Sequence, residues 1–476
     1  MKDFLIKKAL NNFDQNQIKY CVFKSSDHLL AGLRGETDID LLIEEEKINF
    51  ALKALKELGF KITKPSFSVI NPYRYGLVAF CQKAKKLVYL DIMTRFVVGI
   101  NRARQVRSLD IAKKYLSVAK PNEQNIYTLT PEEELECLYM RIVAKSANGI
   151  PFYDYLFANW LANYKFKKEI TYLRKKAKIV SNRNFLNLKE YINLKRKLEK
   201  DSELNLLERH ILRFLKELYA FFGKVFTYKY LNHLNFCFFR RRLKKSKIIL
   251  ICGVDGSGKS TLSKELTKSL KWKLDVKRLY LGAGDGEGFL IRRFGTFISK
   301  IFFKKTNQNR KFNYTNKDLN NFKNYLRIIW ALIVAFEKLL KYFELKKLKF
   351  LGNIIILDRF PNLNKYGMND APLLKRFEDS SNFLIRYLVN LEKLIYIFYS
   401  KEIKINLCIK LEASHKLVES RGEKMSKIFY KERKESLNQA LESINIEKTI
   451  LLNAEETILD LKSIALEEII NYKNKE

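Results

Sequence analysis

The chain has 476 residues, 47% of them hydrophobic, which is enough for two to four ordinary domain cores. Its formal net charge is +38, from 90 Lys+Arg against 52 Asp+Glu, a balance that suggests polyanionic partners: phosphates, nucleic acid or an anionic membrane surface. Six cysteines with no CxxC pair or Cys/His cluster exclude a zinc module, and the longest uncharged apolar run, 328–336, is too short for the ~20 residues that cross a bilayer.

The chain opens on Met1, Lys2 and Asp3 with no apolar core segment behind them, so no secretory leader is expected. Residues 2–19 predict an amphipathic helix, Tyr20–Phe23 a strand, Lys24–Ser26 a turn and His28–Leu33 a short helical piece. In Asp38-Ile39-Asp40 two acids alternate with an apolar residue on a strand, so both carboxylates face one side. Like charges on one face repel unless a cation lies between them, and a divalent metal carrying a triphosphate is the usual solution. A helix is expected over 47–58, and the strand Leu87–Asp91 ends in a third carboxylate. Asp38, Asp40 and Asp91 are therefore the candidate metal ligands of this region. Changing Asp38 and Asp40 to Asn is expected to remove metal–nucleotide binding and to stabilise the metal-free region slightly. The plainer alternative is a pair of exposed acids guarding an edge strand. His28 reads as a surface histidine before a catalytic base.

On these residues the region resembles the nucleotidyltransferase superfamily. Ser26 matches the serine of its Gly-Ser pair, Asp38 and Asp40 its metal-binding pair and Asp91 its third acid. Ser25 stands where the family has glycine. The resemblance implies an α+β nucleotidyltransferase-like domain over 1–120.

Residues 121–245 change character and predict an all-α connector. Thr130, Pro131 and Glu132–Glu134 form a helix start with an N-cap, a proline at the first helical position and acids in the first turn. Gly149–Pro151 and Ser181–Asn184 read as breaks. An aromatic-rich helix over 204–239 runs into the basic stretch 240–247. It reads as a core-facing stripe followed by a solvated linker, with membrane-surface or nucleic-acid contact as the alternative.

From Ile248 strands and helices alternate, which predicts a parallel α/β sheet flanked by helices over 246–476. The apolar run Ile248–Cys252 leads into Gly253-x-x-x-x-Gly258-Lys259-Ser260 and a helical pattern over 262–270. That is a phosphate-binding loop in its context of strand, glycine loop and helix. Gly253, Asp255, Gly256, Ser257, Gly258, Lys259, Ser260 and Thr261 form the expected nucleotide-binding set. Lys259 would reach the β- and γ-phosphates of ATP, and the Ser260 hydroxyl would ligate Mg²⁺. A second strand, Val276–Leu281, runs into the glycine-rich stretch Gly282–Gly288. Long helices follow, whose aromatic stripe is expected to pack in the core. The buried strand before Asp358 and Arg359 delivers both to the same sheet edge. Asp358 would hold Mg²⁺ through water, and Arg359 would clamp the acceptor. A further strand, 405–411, precedes a helix and a basic segment from which Arg421 is the expected catalytic contributor.

This part of the chain, about residues 248–470, resembles the thymidylate kinase family of nucleoside monophosphate kinases. The resemblance rests on Gly253-x-Asp255-Gly256-Ser257-Gly258-Lys259-Ser260-Thr261 and on Asp358-Arg359-Phe360. It implies that Asp255 contacts the acceptor's sugar hydroxyl, that Arg359 contacts its phosphate and that Arg421 belongs to a lid. The Glu-Pro-Gly element expected after the second strand is replaced by Gly282–Gly286, and Pro361–Asn364 stands where serines are expected.

The expectation is a cytoplasmic enzyme using ATP and Mg²⁺ to phosphorylate a small acceptor that offers a phosphate or hydroxyl, dTMP-like by resemblance. The charge excess is mostly Lys spread along the whole chain, which reads as solvated faces before a dedicated polyanion site. A nucleic-acid end-processing enzyme and a non-catalytic nucleotide-binding regulator are the rival readings.

Overall fold

In the computed structural model the chain divides by contacts into two units, Met1–Lys244 and Lys245–Glu476. The described residues are 4–64, 73–98, 107–109, 112–146, 151–179, 185–200, 241–243, 245–282, 322–363, 371–423 and 425–472. The helix expected over 204–239, Cys237, Arg240, Lys244, Gly149 and 181–184 lie outside them, as do Ala283–Gly288 of the glycine-rich stretch.

The first unit starts with α1 (Leu5–Gln15), which buries Ile6, Ala9, Leu10 and Phe13 at helical spacing. Strand β1 (Tyr20–Val22), α2 (Leu29–Leu33), β2 (Ile39–Ile43), α3 (Ile48–Glu57) and β3 (Lys61–Lys64) follow. An antiparallel hairpin, β4 (Arg74–Cys81) and β5 (Lys86–Met93), comes next. The pair β6 (Phe96–Val98) and β7 (Arg107–Leu109) forms a sheet of its own. After α4 (Ala112–Val118), β8 (Lys120–Pro121) and β9 (Tyr127–Thr128) come four helices: α5 (Pro131–Ser146), α6 (Pro151–Tyr164), α7 (Lys167–Lys176) and α8 (Leu188–Lys200). Strand β10 (Arg242–Leu243) closes the unit. The main sheet has the order β10-β3-β4-β5-β2-β1-β9-β8. β2 runs parallel to β5, and this register sets Asp40 directly beside Asp91.

The start of α5 is a reciprocal capping box. The Glu133 carboxylate accepts from the Thr130 backbone N–H at 3.3 Å, and the Thr130 hydroxyl accepts from the Glu133 N–H at 3.4 Å. The helices over 131–200 are not a separate layer with a core of their own. Leu138, Val143 and Tyr191 share one hydrophobic cluster with Cys21, Phe23, Leu42 and Met93 of the sheet region. The helices of the stretch 121–245 thus share the hydrophobic core of the sheet region, and the division by contacts falls after Lys244.

The second unit holds a sheet of five strands, all parallel: β11 (Lys247–Gly253), β12 (Val276–Tyr280), β13 (Ile354–Asp358), β14 (Leu407–Glu412) and β15 (Thr449–Asn453). The order is β12-β13-β11-β14-β15. β11 is buried along its whole length, which is why it reads as a continuous apolar run rather than an alternation. The chain leaves β11 to one side for β12 and β13, then crosses to β14 on the other. Strand order thus reverses at β11, and the crevice at that reversal is where open α/β sheets take ligands. The crossovers contain α9 (Lys259–Lys271), α10 (Phe322–Phe350), α11 (Phe383–Glu402), α12 (His415–Ser420) and α13 (Lys427–Glu442), and α14 (Ile458–Asn471) follows β15.

Helix α10 sends only part of its aromatic residues toward the core: Tyr342 is buried and Trp330 half-buried. Tyr325, Phe336, Phe343 and Phe350 are exposed, whereas Glu337, Lys338 and Lys341 are buried. The inward charges are satisfied: Lys341 pairs with Glu337 at 2.6 Å and donates to the Tyr280 carbonyl at 2.7 Å, and Lys338 donates to the Tyr396 hydroxyl. Among the described residues no helix is long and apolar enough to cross a membrane. Cys21, Cys81, Cys137, Cys252 and Cys408 are free and buried.

Candidate active site

The loop after β11 turns through left-handed backbone at Gly256 (φ 80°) and Gly258 (φ 94°), a conformation that costs an L side chain about 1–2 kcal/mol. Gly258 is the residue at which α9 begins, so the loop's N–H groups and the helix N-terminus converge on one point. Lys259 opens the helix and is only 7% exposed. Its ammonium folds back along the loop, donating to the Val254 carbonyl at 2.7 Å and lying 3.6 Å from an Asp255 carboxylate oxygen. Ser260 and Thr261 are exposed on the first turn.

Asp255 is the electrostatic centre of the loop. It receives Arg359 Nη2 at 2.9 Å and is also bonded by Arg433 from α13. Burial alone would raise its carboxyl, but Lys259, Arg359 and Arg433 together hold it below the ordinary aspartate value. Arg359 follows β13 with φ 71°, an uncommon left-handed conformation for a non-glycine residue. Such strain persists only where the surroundings over-determine it. Here the Arg359 guanidinium is held by Asp255 and lies 6.0 Å from the centre of the Tyr280 ring. Arg421 stands just after α12 and spans two carbonyls, those of Gly256 at 3.0 Å and Ala454 at 3.1 Å. It therefore touches the phosphate loop itself.

Asp358, the last residue of β13, is fully buried. One oxygen, Oδ2, accepts from Arg278 Nη2 at 2.7 Å and from the Ser263 hydroxyl at 3.0 Å. The other, Oδ1, is buried with no hydrogen-bond partner, and the Ser257 hydroxyl shares that condition. The same Ser263 hydroxyl lies 3.0 Å from the Ser260 carbonyl, sharing its one proton between the two oxygens, so Asp358 is tied to the turn that carries Ser260. An orphaned buried carboxylate oxygen, on a residue linked through Ser263 to the turn that carries the exposed Ser260 hydroxyl, suits contact with a hydrated Mg²⁺.

The fold thus brings Lys259, Asp255, Arg359 and Arg421 together around one loop, with Asp358 beneath it. Two participants escaped sequence reasoning. Arg278 sits mid-strand in β12, and Arg433 sits in a helix full of Lys, Arg and Glu, so no local signal separated either from its surroundings.

Beside the loop lies a cleft lined by Asp255, Lys259, Arg359, Phe360, Asn362 and Leu437. One wall is charged and the other is the apolar flank of α13. The cleft thus sets the Arg359 guanidinium opposite the apolar surface of Phe360 and Leu437.

In the first unit Asp40 and Asp91 are paired with cations of the chain itself. Asp40 pairs with Lys24 at 2.7 Å. Asp91 accepts from Arg74 Nε at 2.9 Å, from Arg74 Nη2 and from Arg241 Nη2. Burial works to raise the Asp91 carboxyl, but the Arg74 hydrogen bond and charge, with Arg241 and Lys24, hold it far below the usual carboxylate range. Burial raises Asp40, Lys24 opposes that shift, and Asp91 and Asp38 add to it, so the acids do lie close together. Asp38 also accepts from the Thr37 hydroxyl at 3.4 Å. Among the described residues no group of three or more His, Cys, Asp or Glu is placed to hold a metal ion. Ser25, at the family's glycine position, adopts left-handed backbone (φ 60°, ψ 38°), and the Ser26 N–H donates to Glu134 at 2.9 Å.

No protein-family model matches the chain. The uncharacterized ATP-binding protein YghR of Escherichia coli K12 is 26% identical over 179 residues, covering 35% of this chain and 67% of that protein, and its counterpart in E. coli O6:H1 matches equally. Among solved structures, thymidylate kinase from Ehrlichia chaffeensis is 12% identical and covers 48% of this chain and 99% of its own, with a TM-score of 0.27. Thymidylate kinase from Candida albicans is 19% identical and covers 48% and 94%, also with a TM-score of 0.27.

Proposed function

We propose that the second unit is an ATP-dependent phosphotransferase that moves the γ-phosphoryl group to a small acceptor bearing a phosphate or hydroxyl. The observation that carries this reading is the loop itself: two left-handed glycines, Lys259 folded along the loop, and the open N-terminus of a 13-residue helix. The relation to an ATP-binding protein of E. coli supports ATP as donor. The sequence resemblance suggests a nucleoside monophosphate acceptor, dTMP-like, and the cleft beside Asp255 and Arg359 suits an anionic group joined to a partly apolar body.

Each residue has a role within this reading. Lys259 exchanges the Val254 carbonyl for phosphate oxygens, and the loop N–H groups hold the chain of phosphates. Arg359 leaves Asp255 for the acceptor's anionic group, while Arg433 remains to compensate the carboxylate. Arg421 neutralises charge at the loop from the opposite side. Ser260 and, through water, Asp358 would hold Mg²⁺, which supplies charge neutralisation on the phosphates when bound. Little covalent work falls to the protein, so positioning and electrostatics carry the rate.

Arg359→Lys tests the acceptor clamp. The change keeps the charge and loses the planar fork. The expected result is a fall of about 10²-fold in kcat/KM for the acceptor with little change in ATP affinity, because Arg433 still pairs Asp255. Steady-state kinetics with each substrate varied in turn measures it. An equal loss of ATP affinity would place Arg359 on the donor side.

A further inference from the structure

We infer that the acid cluster of the first unit is a self-neutralised site, in which Lys24, Arg74 and Arg241 take the place of a divalent cation and no metal–nucleotide binds. Two aspartates set side by side by strand register need a counter-charge, and either a metal or protein cations can supply it. This chain supplies three cations of its own. Lys24, from the turn after β1, reaches Asp40 Oδ1 at 2.7 Å as an ion pair, although that buried oxygen has no partner in hydrogen-bond geometry, so the neutralisation is tightest at Asp91. Arg74, at the start of β4, grips both oxygens of Asp91. Arg241, just before β10, reaches Asp91 Oδ2 as well.

The docking of Arg241 has a shaped seat. Gly76 is the register partner of Asp91 across β4 and β5. A Cβ added at Gly76 would stand 2.7 Å from Arg241 Cζ, so the missing side chain leaves the space in which the guanidinium lies. The same replacement appears at the turn. Its Ser26 N–H, the kind of donor that would meet a phosphate, is taken by the carboxylate of Glu134, which is itself buried. Internal cations thus stand at the metal position and an internal anion at the phosphate position. Metal entry would have to displace a bidentate Arg–carboxylate pair in a buried setting, where the guanidinium cannot deprotonate and leave. The cluster acts instead as an electrostatic clamp that ties β2, β4, β5 and the residues before β10 together.

Two measurements on the full-length chain decide this. The first is calorimetric titration of wild type and Asp91→Asn with Mn²⁺ and ATP. The same number of equivalents is expected for both proteins, whatever the second unit binds. Loss of one Mn²⁺–ATP equivalent in Asp91→Asn would overturn the inference. The second is thermal unfolding in EDTA. Removing one partner of a buried ion pair leaves the other uncompensated, so Asp91→Asn is expected to lower Tm by about 10 °C without metal. The opposite sign, an unchanged or raised Tm in EDTA, is what repelling acids awaiting a metal would give, and it would also overturn the inference. If Asp91→Asn fails to fold, Asp40→Asn gives the same pair of readouts with the milder Lys24 contact removed. Neither readout depends on phosphoryl transfer by the second unit.

Discussion

Lys259→Ala is expected to lower ATP-dependent phosphoryl transfer by roughly 10³-fold or more while leaving the second unit folded. Lys259 sits on the first turn of α9, where alanine is a good helix former, and its contacts are with the loop rather than with the hydrophobic core. The change removes the one side-chain ammonium that the loop aims along its own carbonyls. It leaves the glycine turns and the helix N-terminus in place, so weakened ATP binding persists through backbone N–H groups. Losing Lys259 also removes one of the cations that hold down Asp255, but Arg359 and Arg433 remain on that carboxylate. The check is a single-turnover transfer rate beside a thermal melt. A fall in rate with an unchanged melt is the expected pair of results. Full turnover in the variant would remove Lys259 from the mechanism.

Asp358→Asn is expected to cost stability as well as activity. The carboxylate is fully buried and faces Arg278, whose side chain is itself only 9% exposed. Asparagine keeps the volume and removes the charge. The arginine, which stays protonated, then loses its Asp358 contact in a largely buried setting. Breaking a buried pair from one side typically costs about 3–5 kcal/mol, and for a unit of this size each kcal/mol lowers Tm by about 2–4 °C. A melt shifted down by roughly 10 °C follows, together with loss of whatever Asp358 contributes at Mg²⁺. Adding Arg278→Met to Asp358→Asn should recover much of the stability and none of the activity, since both charges are then gone. A single variant within about 1 kcal/mol of wild type would mean that the pair is not a structural partner of the strand end.

The features legible in the sequence are the local ones. A strand, a glycine loop and a helix follow one another within a few residues at 247–271, and hydrophobic continuity there reports burial on both faces of a parallel sheet. The same holds for Ile354–Asp358 and for the capping box at Thr130. What escaped were charge pairs between distant positions. Arg278 meets Asp358 across 80 residues, Arg433 meets Asp255 across 178, and Arg241 meets Asp91 across 150. In a chain with 90 Lys and Arg no single basic residue stands out from its neighbours, so these partners are visible only once the strands are set in register. Asp40 and Asp91 are neighbouring acids that need a counter-charge, which the alternation at Asp38-Ile39-Asp40 and the strand end at Asp91 suggest. Reading along the sequence cannot tell a metal from an arginine that arrives from elsewhere. In α10 the inward face does carry apolar residues, among them Ile328, Ala331, Tyr342, Leu345 and Leu348, but helical spacing does not reveal that Glu337 and Lys341 share that buried face by pairing with each other.

The most direct test of the phosphotransferase reading is acceptor profiling with γ-labelled ATP and Mg²⁺, comparing wild type with Lys259→Ala across nucleoside monophosphates, nucleosides and other small phosphorylated or hydroxylated compounds. The account predicts that label leaves ATP for at least one small acceptor with wild type, and that this transfer is lost with Lys259→Ala. ATP that is bound but never transferred to any acceptor, or transfer that survives intact in Lys259→Ala, would contradict it.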